Sequence, residues 1–105
     1  MITLQAWLLF AAAMFSIGLF GVLTRRNAIA MLLSIELMAN AVNLNLVAFG
    51  TARGDPTGQV MALFGMAMTV AEVAVGLAII IQLHRNNRTI DLDAIADALD
   101  EEARA

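Results

Sequence analysis

Three long apolar runs divide the chain: Leu4 to Leu23, Ala28 to Phe49 and Val60 to Leu83. Each is about 20 residues or slightly more, and at ~1.5 Å rise per residue each crosses a hydrocarbon core about 30 Å thick. The pattern predicts an all-α membrane protein with three transmembrane helices. The first break, Thr24-Arg25-Arg26-Asn27, has room only for a tight antiparallel turn. The second, Gly50 to Gln59, carries Gly54, Asp55, Pro56 and Gly58 as turn formers. After Arg88 the pattern changes, so residues 1–88 read as a three-helix transmembrane domain and 89–105 as an acidic cytoplasmic tail. In that tail Leu92, Ile95 and Leu99 recur at helical spacing opposite Asp93, Asp97 and Asp100, with Asp91 placed as an N-cap. Two readings stay open: a short amphipathic helix that docks on a partner protein, or a frayed solvated tail. Its negative charge argues against anionic lipid as the target.

Composition narrows the function. The 105 residues are 61% hydrophobic and 14% charged, which leaves no room for a soluble catalytic domain. The formal charge of -3 comes largely from the tail, so no surface is built for nucleic acid. With no cysteine, disulfides, thiolate chemistry and iron–sulfur ligation are excluded from this chain. His84 stands alone at a helix end, whereas zinc sites need three or four converging ligands, so no metal site is expected. The first run lacks a preceding basic residue and holds Ala11-Ala12-Ala13 in its middle, a poor signal peptide, and reads as a retained span. Arg25 and Arg26 fall on one side with Arg85 and Arg88, against Arg53 alone on the other. Positive charge in short loops marks the cytoplasmic side, which puts the N-terminus outside and the C-terminus inside, with Trp7 near the outer interface.

Glu36 and Glu72 each stand in the middle of an uncharged apolar stretch. A charge at the bilayer centre costs ~2.5–3.5 kcal/mol even on insertion scales, so such groups face a protein interior or a water-filled path and handle protons or ions. Asn40 and Asn43 follow Glu36 at i+4 and i+7 and share its face within about 60° of arc. Singly, each asparagine reads first as interhelical glue; together with Glu36 they form one polar stripe, while Asn45 points nearly the opposite way. In the third run Gly65, Thr69, Glu72 and Gly76 share a face, its small residues suited to close helix approach. Gly18 and Gly21 suggest the same in the first. Counted from the arginine turn, Glu36 is ~13 Å in and Glu72 ~17 Å in, so the two carboxylates are nearly level and, in antiparallel neighbours, roughly 10–15 Å apart. That separation suits a relay through ordered water or a third protonatable group.

These motifs resemble the K-type (4L-type) small membrane subunit of complex I, the proton-pumping NADH:quinone oxidoreductases. The matching blocks are Gly21-Val22-Leu23-Thr24-Arg25-Arg26-Asn27-Ala28, Ser34-Ile35-Glu36-Leu37-Met38 with Asn40-Ala41-Val42-Asn43-Leu44, and Gly58-Gln59-Val60 leading to Ala71-Glu72-Val73-Ala74-Val75-Gly76-Leu77-Ala78. They cover roughly residues 4 to 88. The resemblance implies a three-helix subunit with no activity of its own, in the membrane arm between the quinone-site and J-type subunits and the antiporter-like subunits. It implies that Glu36 and Glu72 lie on the hydrophilic axis linking quinone chemistry to proton translocation, and that Arg25 and Arg26 support coupling. Quinone, flavin and iron–sulfur clusters are expected in other subunits, none in this chain. The electron donor and the membrane, prokaryotic plasma membrane or thylakoid, stay open.

The nearest alternative is a subunit of a multisubunit sodium/proton antiporter, which is expected to lack a carboxylate matching Glu72. A small multidrug exporter needs four spans and a glutamate in the first. A purely structural assembly subunit would tolerate loss of both glutamates.

Overall fold

The computed structural model describes residues 2–105 as four helices: α1 (Leu4–Thr24), α2 (Ala28–Arg53), α3 (Thr57–Asn87) and α4 (Leu92–Arg104). The first three are long and apolar enough to cross a membrane. They run as successive antiparallel neighbours, with α2 packed against both α1 and α3. The molecule is accordingly long and thin, 61 × 23 × 19 Å.

Small residues make the seams. The buried positions within the first three helices are Ala11, Gly18 and Gly21 of α1, Ala28, Ala41, Ala48 and Gly50 of α2, and Ala62, Thr69 and Ile80 of α3. In lipid no hydrophobic effect drives helices together, so close backbone approach and dispersion contacts must do it, and Ala and Gly permit that approach. On α1, a Cβ at Gly18 would come within 2.7 Å of the Ser34 carbonyl, and one at Gly21 within 2.9 Å of Ser34 Cβ.

The helix ends follow from their caps. Thr3 Oγ1 accepts the Ala6 N–H at 3.2 Å and starts α1. Asn27 Oδ1 takes the N–H groups of Ile29 (2.8 Å) and Ala30 (3.2 Å), so the arginine turn ends where α2 begins. At the far end α2 closes on Gly54 in the left-handed region (φ 66°), a conformation glycine adopts without the Cβ penalty. The connection from α2 to α3 is therefore only Gly54-Asp55-Pro56, shorter than the Gly50–Gln59 loop expected from turn-forming residues. Gly50 and Gly58 remain helical and face each other: a Cβ on Gly58 would overlap the Leu46 carbonyl and lie 2.8 Å from Gly50 Cα. They serve the contact of two helix ends, not a turn.

Beyond Arg88 (φ 59°) the tail turns back, and residues 92–104 form the helix that the Leu92, Ile95, Leu99 spacing predicts. Asp91 Oδ1 caps it, accepting from Asp93 N–H at 3.0 Å and Ala94 N–H at 3.1 Å. Ile95 is buried; Leu99 is exposed.

Candidate functional site

Deep within the spans the hydroxyls of Ser16, Ser34 and Thr69 are satisfied by their own helices. Ser16 donates to the Ala12 carbonyl, Ser34 to Ala30 and Thr69 to Met66, at 2.7, 2.8 and 2.9 Å. Three polar atoms of α2 are different. Glu36 Oε1, Asn43 Nδ2 and Asn45 Oδ1 are shielded and have no hydrogen-bond partner within the chain. An orphaned polar atom in a low-dielectric setting costs ~1–3 kcal/mol, so these three positions are where α2 carries polarity that the chain itself does not compensate.

The register of the α2–α3 seam is set by three contacts. Gly76 faces Leu32; Gly65, eleven residues back, faces Asn43, eleven on; Gly58, eighteen back, faces Gly50, eighteen on. Glu36 is four residues on from Leu32 and Glu72 four back from Gly76, so the two carboxylates stand opposite one another at one depth. Their levels agree with the count from the arginine turn.

They do not open the same way. Taking Leu32, Asn43 and Gly50 as the direction in which α2 faces α3, Glu36 lies about 30° further round in the sense of chain advance. On α3, Gly58, Gly65 and Gly76 face α2, and Glu72 lies about 30° from them in the reverse sense. For antiparallel right-handed helices these opposite senses put the two side chains on opposite rims of the seam. Exposure agrees: Glu36 is half-buried, Glu72 exposed, and Asn40, further round on the Glu36 side, exposed. The shared face expected for Gly65, Thr69, Glu72 and Gly76 thus divides, with Gly65, Thr69 and Gly76 packed on α2 and Glu72 at the edge.

Asn43 lies against Gly65, whose missing side chain makes room for the amide: a Cβ there would overlap Asn43 Oδ1. Asn45, nearly opposite Glu36 around α2, lines a groove of about 410 Å³ near the Gly54 turn together with Phe49, Arg53 and Met61. In the sequence Asn45 is visible as a mid-span amide on the side opposite Glu36, with no second amide to mark the groove.

At the other end Arg25 and Arg26 are both exposed. Arg26 Nε pairs with Asp93 Oδ2 at 3.3 Å; Arg25 makes no ion pair among the described residues. The arginines lie about 13 Å or more from the Glu36 level along the helix axis, too far for direct contact. Among the described residues no group of His, Cys, Asp or Glu is arranged to hold a metal ion.

A sequence profile of the family described as NADH-ubiquinone/plastoquinone oxidoreductase chain 4L matches residues 6–98. The chain belongs to this chain 4L family. It is 53% identical over 89 residues to NADH-quinone oxidoreductase subunit K of Salinibacter ruber, covering 85% of this chain and 88% of that protein. To subunit K of Bacillus cereus (strain AH187) it is 55% identical over 91 residues, 85% of this chain and 88% of the relative. The similarity extends to the chloroplastic NAD(P)H-quinone oxidoreductase subunit 4L of Nephroselmis olivacea, 53% over 89 residues, 83% of this chain and 88% of the relative. Family and fold agree on an integral membrane protein of the subunit K type. The profile runs past α3 into α4 as far as Ala98, so the connection between them and the first half of the tail helix fall within the family's own span.

Proposed function

We propose that this chain is a membrane-arm subunit of a complex I-type, proton-translocating NAD(P)H- or ferredoxin:quinone oxidoreductase, and that Glu36 and Glu72 carry protons along the path that couples quinone reduction to pumping. The observation that carries this reading is the seam: two carboxylates level in mid-membrane, on opposite rims, one with an oxygen shielded and unpartnered. A group that loads a proton from one side and a second that passes it to the other suit a relay across the α2–α3 seam, with water or partner groups bridging them.

Asn40 and Asn43 extend the Glu36 stripe and would hold water or a partner group in line with it. Arg25 and Arg26 mark the cytoplasmic side and supply positive potential where protons are taken up. In this reading the N-terminus lies outside and α4 in the cytoplasm, with residues 1–88 in the membrane domain and 89–105 as its tail. The quinone-site, J-type and antiporter-like subunits are the proposed neighbours. Redox groups belong to those and other subunits; a chain without cysteine supplies no thiolate to an iron–sulfur cluster.

The test is Glu36→Gln in the assembled complex. Glutamine keeps shape and hydrogen bonding and removes titration, so assembly stays intact while coupled proton pumping falls by about tenfold or more. Full pumping in the assembled variant would remove Glu36 from the path.

A further inference from the structure

The end of α3 does not simply release the tail. By the seam register Ile80 is level with Ala28, the first residue of α2, so α3 runs seven residues further, about 10 Å, before it ends at Asn87. Arg88 then reverses the chain, which descends to the arginine turn and pairs with it. Asn27 and Asp91 form an isolated antiparallel bridge. Its bonds are Ala28 N–H to the Ile90 carbonyl and Leu92 N–H to the Arg26 carbonyl, both 2.9 Å.

The first bond matters for α2. Its leading N–H groups need partners from outside the helix. Asn27 supplies two through its side chain, and Ile90 supplies the one at Ala28. The returning strand is thus part of the cap of the helix that carries Glu36. Ile95, one turn into α4, is buried. The Arg26–Asp93 pair adds little, because its side chains are 74% and 69% exposed. At the opposite end α2 and α3 are already fixed by a three-residue turn and the Gly50–Gly58 contact.

We propose that residues 89–92 act as a register clamp: the strap closes the second end of the α2–α3 hairpin, prevents α2 from sliding along α3, and so holds Glu36 and Glu72 at one depth. The consequence for coupling rests on the proton-path reading; the clamp itself rests on the bridge. Leu92 is the residue to change. It opens α4, where proline is tolerated, and Asp91 before it has φ -76° and ψ 110°, a conformation that proline accepts in its predecessor. Leu92→Pro therefore deletes the N–H that bonds Arg26 while leaving the helix able to form. Leu92→Ala removes the same side chain and keeps the bond.

Both variants are compared in the assembled complex in lipid, by hydrogen exchange over residues 27–31 and 89–95 and by protons moved per quinone reduced. Loss of one backbone hydrogen bond speeds exchange roughly two- to tenfold in Leu92→Pro relative to Leu92→Ala. The proton ratio falls to about half or less in the proline variant only, as expected when a relay is displaced by a fraction of a turn. Equal exchange in the two variants overturns the strap as a bridge-held element. Faster exchange with an unchanged proton ratio overturns its role as a clamp on the carboxylates. Glu36→Gln measured alongside separates the two ideas: full pumping there defeats the proton path, while the exchange comparison still decides the strap.

Discussion

Gly58 and Gly76 look alike in sequence and differ in what surrounds them. A Cβ at Gly58 meets backbone, the Leu46 carbonyl and Gly50 Cα, which move only if a helix moves. One at Gly76 meets only the tip of the Leu32 side chain, at 2.8 Å from Cδ1, which has other rotamers. Gly58→Ala is expected to cost about 1–3 kcal/mol of hairpin stability and Gly76→Ala less than about 1 kcal/mol, measured by thermal unfolding in mild detergent. Helical spacing alone was enough to put both in a packing face, and to set Glu36 and Glu72 level, because depth along a rigid helix is a matter of counting. It could not say that Glu72 sits at the rim while Gly65, Thr69 and Gly76 are covered. A helical wheel gives angles between residues but not the direction in which the neighbouring helix lies.

At the scale of elements, the α1–α2 turn was legible because Asn27 is a local cap with local consequences. The α2–α3 turn was misjudged in length because Gly50 and Gly58 answer to each other across the seam. What stands there is a small polar clasp: Asp55 Oδ1 accepts the N–H (3.0 Å) and hydroxyl (2.7 Å) of Thr57. The Thr57 backbone bond first, its hydroxyl second and the nearby Arg53 charge hold the Asp55 carboxyl below its ordinary 3.8. A depressed carboxylate favours the folded turn above the ordinary value, and that contribution is lost as pH falls through the folded one. Asp55→Asn is therefore expected to lower the midpoint slightly at neutral pH and to flatten the acid limb below about pH 4, so that the two profiles converge in acid, read from thermal midpoints across a pH series. The strap had no signature of this kind. A two-residue bridge between segments some sixty positions apart leaves no periodicity of its own, and the Asp91 N-cap with the Leu92, Ile95, Leu99 spacing marks only the helix that follows it.

The whole molecule exposes 7550 Å², against about 5,700 Å² for a compact soluble protein of its mass. Large apolar side chains such as Phe10, Phe20, Leu33, Phe64 and Val70 line its outside, each more than half exposed. Lipid and partner helices are the solvent this surface is made for. Orientation is tested at this scale by cysteine substitution, which no native cysteine confuses: Thr51→Cys is expected to react with an impermeant reagent from the outer side of sealed vesicles and Thr89→Cys only from the inner side. Labelling in the reverse pattern would invert the topology. The row of helices in which α1 and α3 both lean on α2 makes the chain a bulkhead one helix thick. In the assembly proposed above, neighbours on the Glu36 side and neighbours on the Glu72 side would meet different faces of the chain, with this seam between them. A lesion in one neighbour should therefore disturb one carboxylate and spare the other.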